Sequence, residues 1–388
     1  MDFRLTEDQR AIQAAVAELA GKFGDDYWSE KDEKHEFPWD FYRAFADAGW
    51  LGIAIPEEYG GGGLGVAEAA ILLEEVAASG AAMNGCSTMH LTIFGINTIV
   101  KHGTPRLRAE VLPGVVDGSL HVCFGVTEPN AGTDTTRVTT FARRDGDDYV
   151  IDGRKVWITK AGDAQKIVLL TRTTPRDEVA KPTDGMTLFL ADLDPSAVDI
   201  RPIPKMGRNA VASNEVFLDG LRVPATARIG EEGAGFRYLL DGLNPERILL
   251  AHEALGIGRV ALERAAEYAR QREVFGRPIG KNQGIAFPLA DAWMRLDAAR
   301  LAARQAAWRY DNGMSCGAEA NTAKYLCADA AFQATDRALQ TLGGMGYSKE
   351  YHVERYFREA RLMRIAPVSQ EMVLNYVSQH VLGLPKSY

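Results

Sequence analysis

The sequence of 388 residues predicts an α+β fold with a helical N-terminal domain, a small middle domain in which antiparallel strands form a sheet or barrel, and a C-terminal four-helix bundle. Two observations predict this order. Apolar residues at helical spacing fill both ends of the chain, whereas short runs of β-branched and aromatic residues fill its centre. Strands and helices do not alternate, so a doubly wound parallel sheet is not expected. The predicted domain ranges are 1–120, 121–228 and 229–388.

Local signals support each domain in turn. In the first, Thr6 and Gln9 have the spacing of a capping box at the start of an apolar helical run. In the second, Asp152-Gly153 and Asp219-Gly220 each separate two strand-like runs and predict hairpin turns. In the third, alanine-rich stretches at 298–307 and 328–338 predict helices that approach one another closely.

Composition and charge exclude several classes of protein. Hydrophobic residues make up 46% of the chain and charged residues 25%, which is typical of a globular protein. The net charge of −8 argues against a nucleic-acid partner, and no apolar run approaches the ~20 residues of a membrane span. The four cysteines lie far apart without a CxxC pair, which indicates free thiols and no metal site. We therefore expect a cytoplasmic, multidomain enzyme.

Four segments carry chemical signals. They are the run FGVTEPNAGTD at 124–134, the strand segment WIT at 157–159, the run REVFG at 272–276 followed by Gln283, and the run QTLGG at 340–344. Together they resemble the acyl-CoA dehydrogenase family along essentially the whole chain, and the first matches that family's V-T-E-P-x-A-G-[ST]-D signature. The resemblance implies the fold described above, an FAD cofactor and α,β-dehydrogenation of an acyl-CoA thioester.

The resemblance also assigns the FAD site. Small residues and hydroxyls after a strand let backbone N–H groups approach the flavin ring edge and the pyrophosphate. Trp157 flanks the flavin ring and Thr159 bonds its reactive edge near N5, although a strand tryptophan taken alone is more often a core residue. The third and fourth segments hold the adenine-diphosphate half of a neighbouring subunit's FAD, which implies a homotetramer arranged as a dimer of dimers. The expected cofactor-binding residues are Phe124, Val126, Thr127, Gly132, Thr133, Trp157, Thr159, Arg272, Phe275, Gln283, Gln340, Gly343, Gly344, Ser369 and Glu371.

The catalytic base is the point at which this chain departs from most of the family. Most members carry the base as the Glu of a Y-E-G-T segment near the C-terminus, and the ungapped match places Pro367 there. Proline can neither remove a proton nor donate a backbone N–H to the thioester oxygen. A subset that includes isovaleryl- and long-chain-type members carries the base on a helix, one residue before an arginine. Glu246 and Arg247 have that pattern, and Pro245 predicts a helix that begins just before Glu246, near the positive end of its dipole.

We therefore predict Glu246 as the base, with Glu253, two turns further along the same face, as the alternative. By resemblance, Arg247 orients the base or supports the CoA side of the substrate. In place of the N–H lost at Pro367, the thioester oxygen would use the FAD ribityl hydroxyl and the Val368 N–H. The expected substrate-binding residues are Thr133, Leu243, Asn244 and Arg247, and the histidines interpreted as structural are His90, His121 and His252.

Partners and alternatives follow from the resemblance. Electrons pass to an electron-transfer flavoprotein, and the thioester is carried by CoA or by an acyl carrier protein. A base displaced from the C-terminal segment changes the pocket, which favours branched, cyclic or aryl-bearing acyl groups. Two alternatives stay open: a flavin oxidase or monooxygenase of the same fold, and a catalytically silent FAD-binding paralogue that acts as a scaffold.

Overall fold

The computed structural model describes residues 4–387, and in it a helical region, a β region and a second helical region follow one another as predicted. The first helix opens with the predicted capping box, because the Gln9 N–H donates to Thr6 Oγ1 at 3.1 Å and the Thr6 N–H donates to Gln9 Oε1 at 3.1 Å. The N-terminal helices are α1 (Glu7–Ala20), α2 (Asp25–Lys34), α3 (Trp39–Asp47), α4 (Val66–Val76), α5 (Ala82–Ile93), α6 (Asn97–His102) and α7 (Pro105–Val116).

The middle region is an eight-stranded sheet. Its strands are β1 (Val122–Gly125), β2 (Phe141–Asp145), β3 (Asp148–Thr159), β4 (Lys166–Arg172), β5 (Met186–Asp192), β6 (Val198–Pro202), β7 (Ser213–Pro224) and β8 (Arg228–Ile229). The order is β6-β7-β3-β2-β4-β5-β8, with β1 beside β4. Most neighbouring strands of the sheet are antiparallel, as predicted, but β1 and β2 both run parallel to β4. The β2–β3 hairpin reverses the chain once and the connection from β3 to β4 reverses it again, so β4 runs in the direction of β1 and β2.

The two Asp-Gly pairs are not hairpin turns. Both lie inside long strands, β3 and β7, which pair with each other along their length. The register shifts between Ile151 and Gly153, and the Gly220 N–H donates to Asp152 Oδ1 at 2.7 Å across the bulge. Gly220 has a φ of +69°, which favours glycine at this position. Aspartate and glycine therefore form a β-bulge here and not a turn. The tight turn between β2 and β3 lies at Gly146.

The C-terminal region consists mainly of helices. Its elements are α8 (Gly235–Gln271), β9 (Glu273–Val274), β10 (Arg277–Pro278), α9 (Gln283–Asp311), α10 (Gly317–Leu342), α11 (Gly344–Tyr347), α12 (Val353–Leu362) and α13 (Gln370–His380). As predicted, buried alanines such as Ala303 and Ala331 let α8, α9 and α10 pack closely. Residues of α4, α5 and α8 belong to the same apolar core, so the two helical regions share one interior.

Helix α8 begins about three turns earlier than predicted, at Gly235, and Pro245 lies inside it. The cause is tertiary packing upstream of the proline. Tyr238 and Leu239 are buried, and the Tyr238 ring stacks on His102 of α6 with centroids 4.1 Å apart. This packing extends the helix toward its N-terminus despite the hydrogen bond that proline cannot make. Glu246 therefore lies in the helix interior, and the predicted help from the helix dipole does not apply.

Two further properties bear on function. Among residues 4–387, no helix has the length and apolar character needed to cross a membrane. The four cysteines are all free and buried, as the sequence predicted.

Candidate active site

Glu246 lies on the buried face of α8 and is 8% exposed. Burial raises the pKa of this carboxyl to about 7, although the charges of His90, Arg247 and Lys324 act to lower it. A carboxyl group whose pKa lies near neutrality can both accept and hold a proton at pH 7. Burial thus gives Glu246 the raised pKa that a base needs, whereas the positive end of a helix dipole would have lowered that pKa.

Glu253, the alternative base, is fully buried and already engaged. Its Oε1 lies 2.8 Å from His90 Nδ1 on α5. Burial acts to lower the pKa of His90, but the negative charges of Glu253 and Glu246 raise it above its ordinary value. Glu253 is therefore already bonded to His90, whereas no such partner occupies the Glu246 carboxyl within residues 4–387.

The substrate-binding residues expected on α8 lie in the same turn as Glu246. Leu243 and Asn244 are half-buried, and Arg247 Nη1 donates to Asn244 Oδ1 at 3.1 Å. The Arg247 Nε is buried and has no hydrogen-bond partner within the described part of the chain. Burial lowers the pKa of Arg247, and the Glu246 carboxylate opposes that effect. Arg247 is thus a cation next to the candidate base that still has an N–H group free of hydrogen bonds within residues 4–387. It could donate that N–H to a polar group of a ligand.

The signature segment at 124–134 leaves β1 and passes along β3. The Thr127 carbonyl accepts from the Val156 N–H at 2.9 Å, and the half-buried Phe124 ring packs on Phe94 with centroids 5.1 Å apart. Further along, Gly132 and Thr133 are exposed, and a Cβ added at Gly132 would meet no atom within 4 Å. This open backbone is the kind that a phosphate group can approach.

Glu128, in the middle of that segment, has a structural role that the sequence did not indicate. Its carboxylate accepts from Lys155 Nζ at 2.8 Å and from the N–H groups of Thr139 and Thr140 at 2.7 and 3.0 Å. Burial would raise the pKa of Glu128, but Lys155 and these hydrogen bonds lower it to about 2. Lys155 also donates to the Val126 carbonyl at 3.2 Å, so this pair fixes the segment to β3.

Trp157 and Thr159 end β3 on the accessible side of the sheet. Trp157 is 56% exposed, with a φ of +63° at an irregularity of the strand, so it is not the core residue that a strand tryptophan usually is. Arg208 Nη1 donates to Thr159 Oγ1 at 3.3 Å, and Arg208 Nη2 donates to Ser213 Oγ at 2.6 Å. An exposed indole beside a hydroxyl and open backbone fits the edge and face of a flavin.

Six further residues expected to bind FAD lie in the C-terminal region and are exposed: Arg272, Phe275, Gln283, Gln340, Gly343 and Gly344. Phe275 is 99% exposed with a φ of +53°. A Cβ added at Gly343 or Gly344 would meet no atom within 4 Å. Within residues 4–387, no hydrogen bond or ring contact joins these six residues to Trp157 or Glu246. Their exposure suits the predicted contact with a cofactor held largely by another copy.

The loop at 363–369 carries Pro367 and precedes α13. Ser369 caps α13, since its Oγ accepts from the Met372 N–H at 3.4 Å, and Glu371 is exposed. The Val368 carbonyl accepts from Lys324 Nζ at 2.5 Å. Burial lowers the pKa of Lys324 to about 8, and its charge faces Glu246. Lys324 was not among the residues predicted from the sequence, where its signal is a lone lysine in the alanine-rich stretch that forms α10.

The three histidines differ in their surroundings. His121 has no partner for either ring nitrogen within the described chain, and burial lowers its pKa to about 3. His252 Nδ1 lies 2.7 Å from Glu74 Oε2, in an ion cluster with Arg259 that joins α4 to α8. Both fit the structural role that the sequence predicted. His90 is different because it faces Glu246 as well as Glu253.

Comparison with known proteins gives consistent matches over nearly the whole chain. Family models for the N-terminal, middle and C-terminal domains of acyl-CoA dehydrogenase match residues 6–119, 123–221 and 233–382. The acyl-CoA dehydrogenase FadE12 of Mycobacterium tuberculosis is 41% identical over 387 residues, which cover 99% of this chain and 98% of that protein.

Two further matches carry a substrate in their names. Cyclohex-1-ene-1-carbonyl-CoA dehydrogenase of Syntrophus aciditrophicus is 36% identical over 371 residues, which cover 93% of this chain and 86% of that protein. The solved glutaryl-coenzyme A dehydrogenase, in complex with glutaryl-CoA, matches with a TM-score of 0.95 and 28% identity. That match covers 100% of this chain and 98% of the solved one.

Proposed function

Because the chain belongs to the acyl-CoA dehydrogenase family of FAD-dependent oxidoreductases, we propose that it converts an acyl-CoA thioester to the 2-enoyl-CoA with Glu246 as the base. The observation that carries this proposal is a buried carboxyl with a pKa of about 7 beside Arg247, in a chain that has Pro367 where most relatives have their base. Glu253, bonded to His90, is the weaker candidate.

In the proposed reaction, Glu246 removes a proton and the bound cofactor accepts a hydride. The Glu246 carboxylate takes the α proton of the acyl group, and the electron pair of that C–H bond enters the new double bond. FAD, when bound, accepts the β hydrogen as hydride. Proton and hydride leave together, so the substrate loses two hydrogens and two electrons. Burial of Glu246 excludes water and matches its proton affinity to a weakly acidic C–H group.

The thioester oxygen needs a donor as negative charge develops on it. We assign this role to the Val368 N–H together with an FAD hydroxyl, since Pro367 has no N–H to offer. The bond from Lys324 to the Val368 carbonyl supports this assignment, because it holds Val368 in one position. Arg247, with its unsatisfied Nε, would support the CoA side.

Assembly into a homotetramer, a dimer of dimers, follows from the same proposal. The exposed residues expected to bind FAD, Phe275 among them, would contact a cofactor that is shared with a neighbouring copy of the chain. Helix α9 also presents large apolar side chains to solvent in the single chain, and oligomerisation would bury them. These side chains are Phe287, Trp293, Met294, Leu301 and Trp308.

The acyl group that we favour is branched or cyclic. Two aromatic rings lie near the proposed base. A Cβ added at Gly242, one turn before Glu246, would lie 3.2 Å from the Phe94 ring, and that ring packs on Phe124. The match to a dehydrogenase named for a cyclohexene carbonyl-CoA supports the same choice. The carrier is CoA or an acyl carrier protein, which present the same pantetheine arm, and the electron acceptor is an electron-transfer flavoprotein.

The test is an anaerobic titration of the FAD-loaded protein with branched, cyclic, aryl-bearing and straight-chain acyl-CoAs, followed by flavin bleaching. We expect wild type and the control Glu263→Gln, an exposed carboxylate on the same helix, to bleach. Glu246→Gln should bind FAD and acyl-CoA without bleaching.

Each other outcome contradicts a stated part of the proposal. Bleaching of Glu246→Gln at the wild-type rate would exclude Glu246 and make Glu253 the next target. No bleaching of wild type by any thioester would favour a scaffold role. Fast reoxidation of the reduced flavin by air would favour an oxidase over an enzyme that uses an electron-transfer flavoprotein.

A further inference from the structure

We propose that His90, held in place by Glu253, is a positioning residue whose positive charge sets the protonation state of Glu246. The inference rests on the proposed role of Glu246 as the base. It assigns a function to a histidine and a glutamate that the reaction itself does not consume.

The geometry joins the His90 imidazole to Glu253, and Glu246 lies on the same face of α8 as Glu253. Glu253 lies two turns after Glu246 on the same face of α8, and His90 projects from the last turn of α5, which packs on α8. The 2.8 Å contact between His90 Nδ1 and Glu253 Oε1 fixes the ring. Because Nδ1 is engaged, the imidazole cannot rotate without breaking a buried hydrogen bond.

The surrounding charges favour a protonated His90. It is faced by Glu246 and Glu253 of α8, and by Arg208 of the β6–β7 loop. The two carboxylates outweigh both burial and Arg208, and the pKa of His90 rises above its ordinary value. A cation beside two buried carboxylates also relieves the repulsion that they would otherwise exert on each other.

The same charge acts on the base. Glu246 is faced by His90 of α5, by Arg247 and Glu253 of α8, and by Lys324 of α10. Burial and Glu253 raise its pKa, and the three cations oppose them, His90 most strongly. Without His90 a larger fraction of the Glu246 carboxyl would be protonated at neutral pH, and a protonated carboxyl cannot accept the α proton.

A second buried pair offers a matched control. His252 precedes Glu253 on α8 and bonds Glu74 at 2.7 Å, much as His90 bonds Glu253. It is not among the charges that act on Glu246. His90→Asn and His252→Asn therefore remove comparable imidazoles, and both can keep a donor toward the carboxylate, since the Asn amide takes the place of Nδ1.

The experiment measures the protonation of Glu246 in the FAD-loaded protein. Infrared difference spectra between each protein and its Glu246→Gln counterpart isolate the C=O band of the protonated carboxyl, which is followed from pH 5 to 10. The anaerobic rate of flavin reduction by saturating acyl-CoA is measured over the same range.

We expect His90→Asn to raise the midpoint of the infrared titration by about one pH unit, the size of effect typical of a charged neighbour. Flavin reduction should then be about fivefold slower at pH 7, since the ionised fraction falls from about one half to about one tenth. The rate should recover to within about twofold of wild type at pH 9. His252→Asn should leave the midpoint unchanged.

The inference is overturned if His90→Asn leaves the midpoint where it is, if its rate does not recover at high pH, or if His252→Asn shifts the midpoint equally. His90→Gln, which also removes the charge, takes the place of His90→Asn if that variant does not fold. Failure of the proposed function is a separate result, since it would appear as undiminished bleaching in Glu246→Gln.

Discussion

Replacing Glu128 with glutamine should lower the free energy of unfolding more than replacing a surface carboxylate does. The pKa of Glu128 falls from 4.5 to about 2 in the folded chain, because Lys155 and the Thr139 and Thr140 N–H groups outweigh burial. Each pKa unit corresponds to about 1.4 kcal/mol, so the carboxylate contributes about 3 kcal/mol at neutral pH. Glutamine would also turn an N–H group toward these donors and leave the buried ammonium without a counter-charge.

The contribution has a definite pH window. A carboxyl whose pKa is lowered by folding stabilises the native state fully above its unfolded pKa, here 4.5, and loses that contribution as pH falls toward 2. The difference in unfolding free energy between wild type and Glu128→Gln should therefore be about 3 kcal/mol at pH 6–7 and shrink steadily below pH 4.5.

The assay is urea unfolding at fixed protein and FAD concentration, followed by circular dichroism and flavin fluorescence between pH 3 and 7. Asp145→Asn, which breaks the exposed ion pair with Arg222 in the same sheet, is the control and should leave the midpoint unchanged. Adding Lys155→Met to Glu128→Gln should recover part of the loss, because no buried ammonium then remains. A Glu128→Gln variant as stable as the control, or a difference that does not change with pH, would refute the reasoning.

Three further predictions concern single positions. Pro367→Ala should keep or improve turnover, because the residue supplies neither base nor N–H; complete loss of activity in the folded, FAD-loaded variant would contradict this. Arg172→Lys should lower the free energy of unfolding by about 2–4 kcal/mol in urea titrations, because the buried guanidinium donates to four backbone carbonyls that one ammonium cannot satisfy. Gly61→Ala should lower the melting temperature, because its Cβ would lie 2.1 Å from the Ile55 carbonyl oxygen, whereas Gly162→Ala, in open space, should not.

The sequence was sufficient for the fold, but not for the local setting of the candidate site. The Glu246-Arg247 pair could be recognised because it is contiguous, and Trp157 because it lies at a fixed spacing from a long signature. The start of α8 could not be predicted, because Pro245 is a common helix-start signal and the packing that overrides it involves Tyr238 and another helix.

Contacts between distant parts of the chain could not be predicted either, because they too depend on tertiary packing. His90 and Glu253 are 163 residues apart, and Lys324 and Val368 are 44 residues apart. Neither pair has a local pattern in the sequence, because the two residues of each pair meet only in the folded chain. The Asp-Gly pair at 219–220 shows the converse, because one local pattern is compatible with a turn or a bulge and only strand pairing decides between them.

The unbroken course of α8 has a consequence for how such an enzyme could diversify. The helix spans 37 residues, about 55 Å, and its packing against α4, α5 and α10 holds the proposed base in a rigid frame. With the proposed base on α8, the loop at 363–369 need not carry a carboxylate. The proposed proton acceptor and the segment around Pro367 then lie on separate pieces of backbone. A designer could vary the loop side chains without moving the carboxyl group of Glu246.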